Sequence, residues 1–230
     1  MKERVLEHAQ PQDHSVPLFG RRDEVRTLTN ALRARKSCLV VGPKGIGKTR
    51  LLQESLRASR QPYVYVEKPE VLHRLLVELA ERLSCPAGRF GSVRHATSVA
   101  LKPFVLDALR KVPRCLVLED VADADPRMYR FLQQVYFAPG VCLIVTARSR
   151  DCLGYLRKLL WDPREEIALK PLNRTEALSL FDVASRIYRL ESFDLDAFRC
   201  KVLTAAQGNP GQILATIRAG GYEECARCVS

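Results

Sequence analysis

The chain has 230 residues, 47% of them hydrophobic and 27% charged, and it carries a formal net charge of +11. This length and composition are typical of one large or two small folded domains, and they argue against an intrinsically disordered chain. No apolar run approaches the roughly 18 residues that a membrane-spanning helix needs, and segment 1–12 is too polar for a secretory signal. We therefore expect no membrane association, whereas the basic charge favours polyanionic partners.

The eight cysteines indicate a reducing compartment. Cys38, Cys115 and Cys142 lie in or beside apolar segments typical of buried strands, where a free thiol packs as a small hydrophobic group. We therefore expect a cytoplasmic protein. Cys225 and Cys228 have the CxxC spacing of a metal or redox pair, but no second CxxC or paired histidine accompanies them. A frayed C-terminal tail is the expectation there.

After a flexible lead-in over 1–17, the hydrophobic pattern predicts strands that alternate with helices. The strands are predicted over 37–41, 63–67, 114–119, 141–146 and 166–169, and the helices over 22–35, 48–59, 69–83, 97–111, 126–137 and 151–160. A glycine-rich, basic segment over 85–95 is expected to form a loop. This alternation indicates a parallel sheet covered by helices on both faces. From residue 173 only helices are predicted, over 174–189, 194–207 and 210–219, so the chain divides into an α/β core (18–171) and a small all-α domain (172–230).

Segment 42–49, GPKGIGKT, matches the phosphate-loop pattern GxxxxGK[ST] between a predicted strand and a predicted helix. Its glycines let backbone N–H groups converge on phosphate oxygens, and the helix N-terminus adds partial positive charge. Lys48 supplies a cation to the β- and γ-phosphates of a nucleotide, and Thr49 offers its hydroxyl to Mg²⁺. The alternative is a glycine turn with a chance lysine. The predicted nucleotide-binding residues of this loop are Gly42, Pro43, Lys44, Gly45, Ile46, Gly47, Lys48, Thr49 and Arg50.

Two carboxylates follow three apolar residues at the end of the strand over 114–119, where open α/β sheets bind ligands. We expect Glu119 in the magnesium shell, usually through water, and Asp120 as the residue that polarises the attacking water. The alternative is a strand that simply ends in polar residues. Arg148, just past the next strand, is expected to sense the nucleotide charge; the alternative is a surface arginine beside Arg150.

Further motifs resemble those of the AAA+ superfamily, in its STAND and origin-recognition-like branches. The resemblance rests on LFGRRDE (18–24), the hydrophobic strand with two acids (116–120), TAR (146–148), PLNRTEA (171–177) and GNPGQ (208–212). They correspond to the FGRxxE box, the Walker B strand, the TxR sensor, the start of the helical lid and the lid turn. In this order they extend from residue 18 to about residue 215.

The resemblance implies a P-loop ATPase that binds ATP in a cleft between the α/β core and the helical lid. Phe19, Gly20 and Arg21 would then lie near the adenine, with Pro210 closing from the lid. The resemblance also implies nucleotide-switched assembly, among copies of this chain or with partner subunits, in which an arginine from a neighbouring subunit completes the site. The candidates for that arginine are Arg127, Arg130 and Arg164.

Two outputs for such an ATPase remain open. One is a DNA-associated regulator of a mobile-element or similar nucleoprotein complex, with duplex DNA bound through basic surface that includes Arg33, Arg35, Lys36, Arg89 and Arg94. The other is a STAND-type protein–protein signalling or defence module without direct DNA contact. In both, conversion of ATP and water to ADP and phosphate is expected to be slow and assembly-dependent, because a switch needs dwell time. A P-loop kinase is disfavoured, since it would need an acceptor-binding lid and a base.

Overall fold

The computed structural model describes residues 16–83, 93–112, 114–188, 190 and 195–228. Most of the lead-in over 1–17 and of the basic loop over 85–95, including Arg89, lies outside the described residues. At the end of that loop, Val93–His95 forms a short 3₁₀ turn. The chain divides into two compact units: one contains residues 21–170, and the other contains residues up to 20 together with those from 171 onward.

The first unit is an α/β unit, and its described residues form five strands and five α-helices. They are α1 (Arg22–Arg33), β1 (Cys38–Val41), α2 (Lys48–Ser59), β2 (Tyr63–Glu67), α3 (Leu72–Arg82), α4 (Ser98–Lys111), β3 (Arg114–Glu119), α5 (Pro126–Tyr136), β4 (Val141–Ala147) and β5 (Glu166–Ala168). The strands form one parallel sheet in the order β2-β3-β4-β1-β5. The predicted parallel α/β fold is therefore confirmed. All five carboxyl ends meet at one edge of the sheet, and β4 separates β1 from β3.

Alternate residues of the central strands fill two separate layers of core, which is typical of a parallel sheet covered on both faces. Val40, Val117 and Ile144 pack with α1 and α2, whereas Leu39, Leu116 and Leu143 pack with α3, α4 and α5. Glu119 has the same parity along β3 as Val117. Its side chain is therefore directed to the face on which α2 begins.

The three cysteines predicted to be buried lie in the layer next to α1 and α2. Cys38, Cys115 and Cys142 are buried free thiols, and the Sγ atoms of Cys115 and Cys142 are 2.7 Å apart on neighbouring strands. Burial raises the pKa of the Cys38 thiol to about 12, which keeps it protonated. These thiols act as core residues of the sheet.

The helix predicted over 151–160 is wrong. Two short 3₁₀ turns, Asp151–Leu153 and Tyr155–Lys158, lie on either side of Gly154, whose φ is +56°. Backbone hydrogen bonds to the segment after β3 explain the break: Asp123 N–H donates to the Cys152 carbonyl at 2.7 Å, and Tyr155 N–H donates to the Ala124 carbonyl at 2.9 Å. These tertiary bonds occupy groups that a continuous helix would pair internally.

The second unit is helical and contains α6 (Arg174–Ile187), α7 (Leu195–Ala206) and α8 (Pro210–Cys228). Asn173 caps α6 in a reciprocal capping box with Glu176, which fixes where this helix begins. The core of the unit includes Phe181, Ala184 and Ile213. The end predicted for the last helix, residue 219, is wrong, because α8 continues to Cys228 and the CxxC pair lies in its last turns.

Among the described residues, none of the helices combines the length and the apolar character that crossing a membrane requires.

Candidate nucleotide-binding site

The phosphate loop connects β1 to α2 and depends on two glycines for different reasons. At Gly42, a Cβ would lie 2.8 Å from Ile46 Cγ2 and 3.2 Å from the Leu169 carbonyl oxygen, so packing excludes a side chain. At Gly47, φ is +104°, a backbone conformation that disfavours residues with a side chain. Ile46 is fully buried between them and anchors the loop in the core. The sequence thus places the N-terminus of α2 at the carboxyl edge of the sheet.

Lys48 is buried within this loop and is bonded to it. Its Nζ donates to the Gly42 carbonyl at 2.7 Å and to the Pro43 carbonyl at 3.2 Å. Burial lowers the pKa of the Lys48 ammonium, while the charges of Asp120 and Glu119 act in the opposite direction. Among the described residues, the hydrogen-bond acceptors of the Lys48 ammonium are neutral carbonyls. Such an ammonium favours an anionic partner, because a hydrogen bond between two charged groups is stronger than one to a neutral carbonyl.

Glu119 is the buried last residue of β3 and receives a hydroxyl donor on each carboxylate oxygen. Thr49 Oγ1 donates to Oε1, and the Tyr65 hydroxyl donates to Oε2. Burial raises the pKa of the Glu119 carboxyl, the Thr49 hydrogen bond lowers it, and the Asp120 charge raises it further. The fold thus brings together Thr49 and Glu119, the two residues predicted to hold magnesium.

Asp120 leaves the strand in a left-handed backbone conformation, with φ at +52°. Aspartate is among the non-glycine residues that tolerate this region. Its N–H donates to Thr146 Oγ1 at 2.9 Å, and the next N–H, of Val121, donates to the Thr146 carbonyl at 2.8 Å. The buried Thr146 therefore fixes the turn that follows Glu119, and β4 positions Asp120 through its backbone.

Arg148 forms an ion pair with Asp120. Its Nε lies 4.0 Å from Asp120 Oδ1, and its side chain is 61% exposed. Arg150, the alternative surface arginine, instead pairs with Glu166 and donates to the Trp161 carbonyl at 2.8 Å. The two arginines after β4 thus have different surroundings: Arg148 lies beside Asp120, and Arg150 connects the loop to β5.

Arg21 is buried and tied to the phosphate loop. Its Nη2 donates to the Ile46 carbonyl at 3.3 Å and to the Lys170 carbonyl, and its Nη1 pairs with Glu24 at 3.2 Å. Arg21 belongs to the α/β unit, whereas Phe19, Gly20 and Pro210 belong to the helical unit. Phe19 and Gly20 lie against that unit's own residues, Phe19 on its core and Gly20 against Glu176. That Phe19, Gly20 and Arg21 lie near the adenine, with Pro210 closing from the lid, stays a prediction.

The remaining predicted residues lie at or near the surface. Pro43, Lys44 and Gly45 are exposed at the tip of the phosphate loop, and Arg50 is half-buried in the first turn of α2. Of the candidate arginines for a neighbouring site, Arg164 is held by Asp162, with Nη2 2.7 Å from Oδ2. Arg127 and Arg130 are exposed on α5.

Sequence analysis missed Tyr65. The alternation of YVYVE over 63–67 places Tyr65 on the same, more polar face of the strand as Glu67. This alternation is the sequence feature that could have pointed to Tyr65 as a site residue. The sheet order, which places β2 beside β3, is needed to bring its hydroxyl to Glu119.

The fold and this loop define a P-loop nucleotide-binding protein of the α/β class. Residues 17–136 match the family described as "AAA ATPase domain". Because that match covers more than half of the chain, the chain belongs to the AAA ATPase family. The predicted relationship to the AAA+ superfamily is confirmed. No curated protein matches the chain with significant sequence similarity.

Solved structures share the fold. The ORC1 protein of Aeropyrum pernix, solved in complex with DNA, has a TM-score of 0.68 at 17% identity, over 92% of this chain and 62% of that one. Cdc6p of Pyrobaculum aerophilum has a TM-score of 0.65 at 17% identity, over 90% of this chain and 62% of that one. A STAND protein of Pyrococcus horikoshii with a tetratricopeptide repeat sensor has a TM-score of 0.54 at 20% identity, over 88% and 30% of the two chains. The chain thus spans 62% of the length of the first two proteins.

Proposed function

We propose that the protein is a nucleotide-controlled switch that binds ATP with Mg²⁺ and hydrolyses it slowly, in an assembly-dependent manner. One observation carries the proposal: the hydroxyl of Thr49, next to the phosphate-loop lysine, donates directly to the buried carboxylate of Glu119. The donor set fits the ligand. Hydroxyl and carboxylate oxygens are the hard ligands that Mg²⁺ prefers, and the ammonium and helix N-terminus suit phosphate oxygens.

The two carbonyl partners of Lys48 indicate how the loop receives phosphate. Its Nζ exchanges the Gly42 and Pro43 carbonyls for phosphate oxygens, which are stronger acceptors for an ammonium. Mg²⁺, when bound, would neutralise part of the charge on the β- and γ-phosphates. Thr49 and Glu119 are the residues that would hold the ion.

Asp120 is proposed to orient and polarise the attacking water. Its backbone is held by Thr146, so the carboxylate projects from a fixed turn at the edge of the sheet. Arg148 is proposed to sense the nucleotide, because it lies beside Asp120 and its exposed side chain has room to turn. General-base catalysis of this kind contributes about 10²- to 10⁴-fold in rate.

Equilibrium titration with a fluorescent ATP analogue, in Mg²⁺ and in EDTA, tests the proposal. The wild-type protein is expected to bind more tightly in Mg²⁺, and Lys48→Ala to lose about tenfold or more in affinity, since charge-assisted hydrogen bonds contribute about 1.5–3 kcal/mol. Lys111→Ala is the matched control, because Lys111 is exposed at the end of α4, where it pairs with the exposed Asp107. Equal affinity of Lys48→Ala and wild type would refute the proposed site.

We further propose that the switch acts on DNA, as a regulator of a mobile-element or similar nucleoprotein complex. The net charge of +11, the exposed Arg33, Arg35 and Lys36, and the similarity to an ORC1 protein solved with DNA support this output. Duplex binding should weaken steeply with salt, because each neutralised phosphate contributes about 0.9 to the slope of log affinity against log salt. Absence of binding at about 50 mM salt with ATP present would count against it.

The second candidate is STAND-type assembly through protein contacts alone. The similarity to the STAND protein of Pyrococcus horikoshii favours it. Size-exclusion chromatography with and without ATP, in the absence of DNA, separates the two outputs. Nucleotide-driven assembly without DNA supports the STAND-type function. A monomer that assembles only on DNA supports the DNA-associated function.

A further inference from the structure

The position of Tyr65 follows from the register of β2 and β3. Tyr65 pairs with Val117 and Glu67 pairs with Glu119, so Tyr65 and Glu119 are diagonal neighbours on the same face of the sheet. Such neighbours are about 7–8 Å apart at the backbone, within reach of an aromatic side chain. The Tyr65 hydroxyl spans this distance and donates to Glu119 Oε2.

Strand β2 holds the backbone of Glu119 as well. The N–H of Lys68, just past the end of β2, donates to the Glu119 carbonyl at 2.8 Å. This bond extends the parallel pairing of Glu67 with Glu119 by one residue, and Lys68 itself adopts a left-handed conformation, with φ at +44°, where the chain leaves the strand. The end of β2 therefore fixes both the main chain and one carboxylate oxygen of Glu119.

The two hydroxyl donors on Glu119 are not equivalent. Thr49 belongs to the phosphate loop and first turn of α2, and its hydroxyl is needed for the ion in the proposed function. Tyr65 lies on the sheet, outside the loop, and its ring packs partly buried against the core next to α1 and α2. Only the Tyr65 bond can persist when Thr49 turns away from Oε1.

We propose that Tyr65 is a positioning residue of the nucleotide–magnesium site: it fixes Oε2 of Glu119 so that Oε1 remains directed at Thr49. This inference rests on the proposed function. Hydrogen-bond partners behind a metal-binding side chain restrict its orientation, and their loss typically weakens metal affinity by about 10- to 100-fold.

Tyr65→Phe removes the hydroxyl and keeps the ring, so it separates orientation of Glu119 from packing. Tyr63→Phe is the matched control: Tyr63 lies on the same strand and the same face and is 41% exposed. The measurement is binding of a fluorescent ATP analogue across a Mg²⁺ titration, with EDTA as the baseline. Mg²⁺ is expected to increase the affinity for the ATP analogue. Tyr65→Phe should raise, by about tenfold, the Mg²⁺ concentration at which half of this increase is reached. In EDTA, the affinity of Tyr65→Phe for the analogue should equal that of the wild type. Tyr63→Phe should have the wild-type affinity both in EDTA and across the Mg²⁺ titration.

A double-mutant cycle with Glu119→Gln identifies where the hydroxyl acts. If Tyr65 works through Glu119, Tyr65→Phe should change the Mg²⁺ dependence little in the Glu119→Gln background. A tenfold shift that persists there would overturn the inference, and so would an equal loss of affinity in Mg²⁺ and EDTA. A wild-type protein insensitive to Mg²⁺ would refute the proposed function together with this inference. A sensitive wild type with an unchanged Tyr65→Phe would refute the inference alone.

Discussion

Replacing Arg21 with methionine tests how much stability comes from the hydrogen bonds that connect the phosphate loop, at Ile46, to the segment after β5, at Lys170. Methionine keeps an unbranched chain but leaves the carbonyls of Ile46 and Lys170 without their donor. A hydrogen bond from a charged donor contributes about 1.5–3 kcal/mol. The long, 3.3 Å bond to Ile46 should contribute near the low end of this range. The ion pair with the partly exposed Glu24 should add about 0.5 kcal/mol. Because desolvation of the guanidinium is relieved at the same time, we expect a net loss of about 3 kcal/mol in the free energy of unfolding.

Urea denaturation followed by circular dichroism measures this loss as a shift in midpoint at constant slope. Arg22→Met is the control, because Arg22 is exposed in the first turn of α1, where a substitution changes stability by about 0.5 kcal/mol or less. Arg21→Lys should lie between wild type and methionine, since an ammonium lacks the planar fork of a guanidinium. An Arg21→Met variant within about 0.5 kcal/mol of wild type would show that the buried bonds to the loop contribute nothing net.

Three further substitutions test the edge of the sheet. Asp120→Asn should retain affinity for the ATP analogue in equilibrium titration and slow single-turnover hydrolysis by about 10²-fold or more; an unchanged rate would remove Asp120 from the chemistry. Thr146→Val leaves the Asp120 N–H without its acceptor and should cost about 1–3 kcal/mol in urea denaturation, whereas no loss would mean that the turn forms without it. Gly154→Ala places a Cβ 2.7 Å from the Ala124 carbonyl oxygen at positive φ, so we expect a loss of about 2 kcal/mol or more, and a stability equal to wild type would contradict the close packing.

The sequence predicts those parts of the fold that local patterns specify. Helix α2 and strand β3 have the predicted ends. Gly47 precedes the amphipathic pattern of the helix, and the apolar residues 115–118 of the strand lie between Arg114 and Glu119. The segment over 151–160 has a helical pattern, yet it is broken at Gly154 by hydrogen bonds to residues some thirty positions earlier in the chain. Those bonds depend on the tertiary fold and leave no local pattern.

The candidate site divides in the same way. The phosphate loop and the acids are contiguous segments, so their residues could be named from the sequence. The side-chain contacts of Arg21 and Tyr65 could not, because each joins residues far apart in the chain: Arg21 reaches Lys170, and Tyr65 reaches Glu119. Both contacts depend on which strands are neighbours, and the strand order is a property of the whole sheet.

The strand order also explains why Glu119 needs support from β2. Because β4 lies between β1 and β3, the ends of the strands that carry the phosphate loop and Glu119 are about 10 Å apart, twice the spacing of neighbouring strands. The Thr49 side chain, in the first turn of α2, extends across this distance to the Glu119 carboxylate. The intervening strand β4 bonds elsewhere: Thr146, near its end, accepts from the backbone N–H of Asp120. On the opposite side, β2 is the neighbour of β3, and Tyr65 extends from it to the second carboxylate oxygen. The carboxylate is therefore held from both sides, by a hydroxyl of the phosphate-loop helix and a hydroxyl of the edge strand.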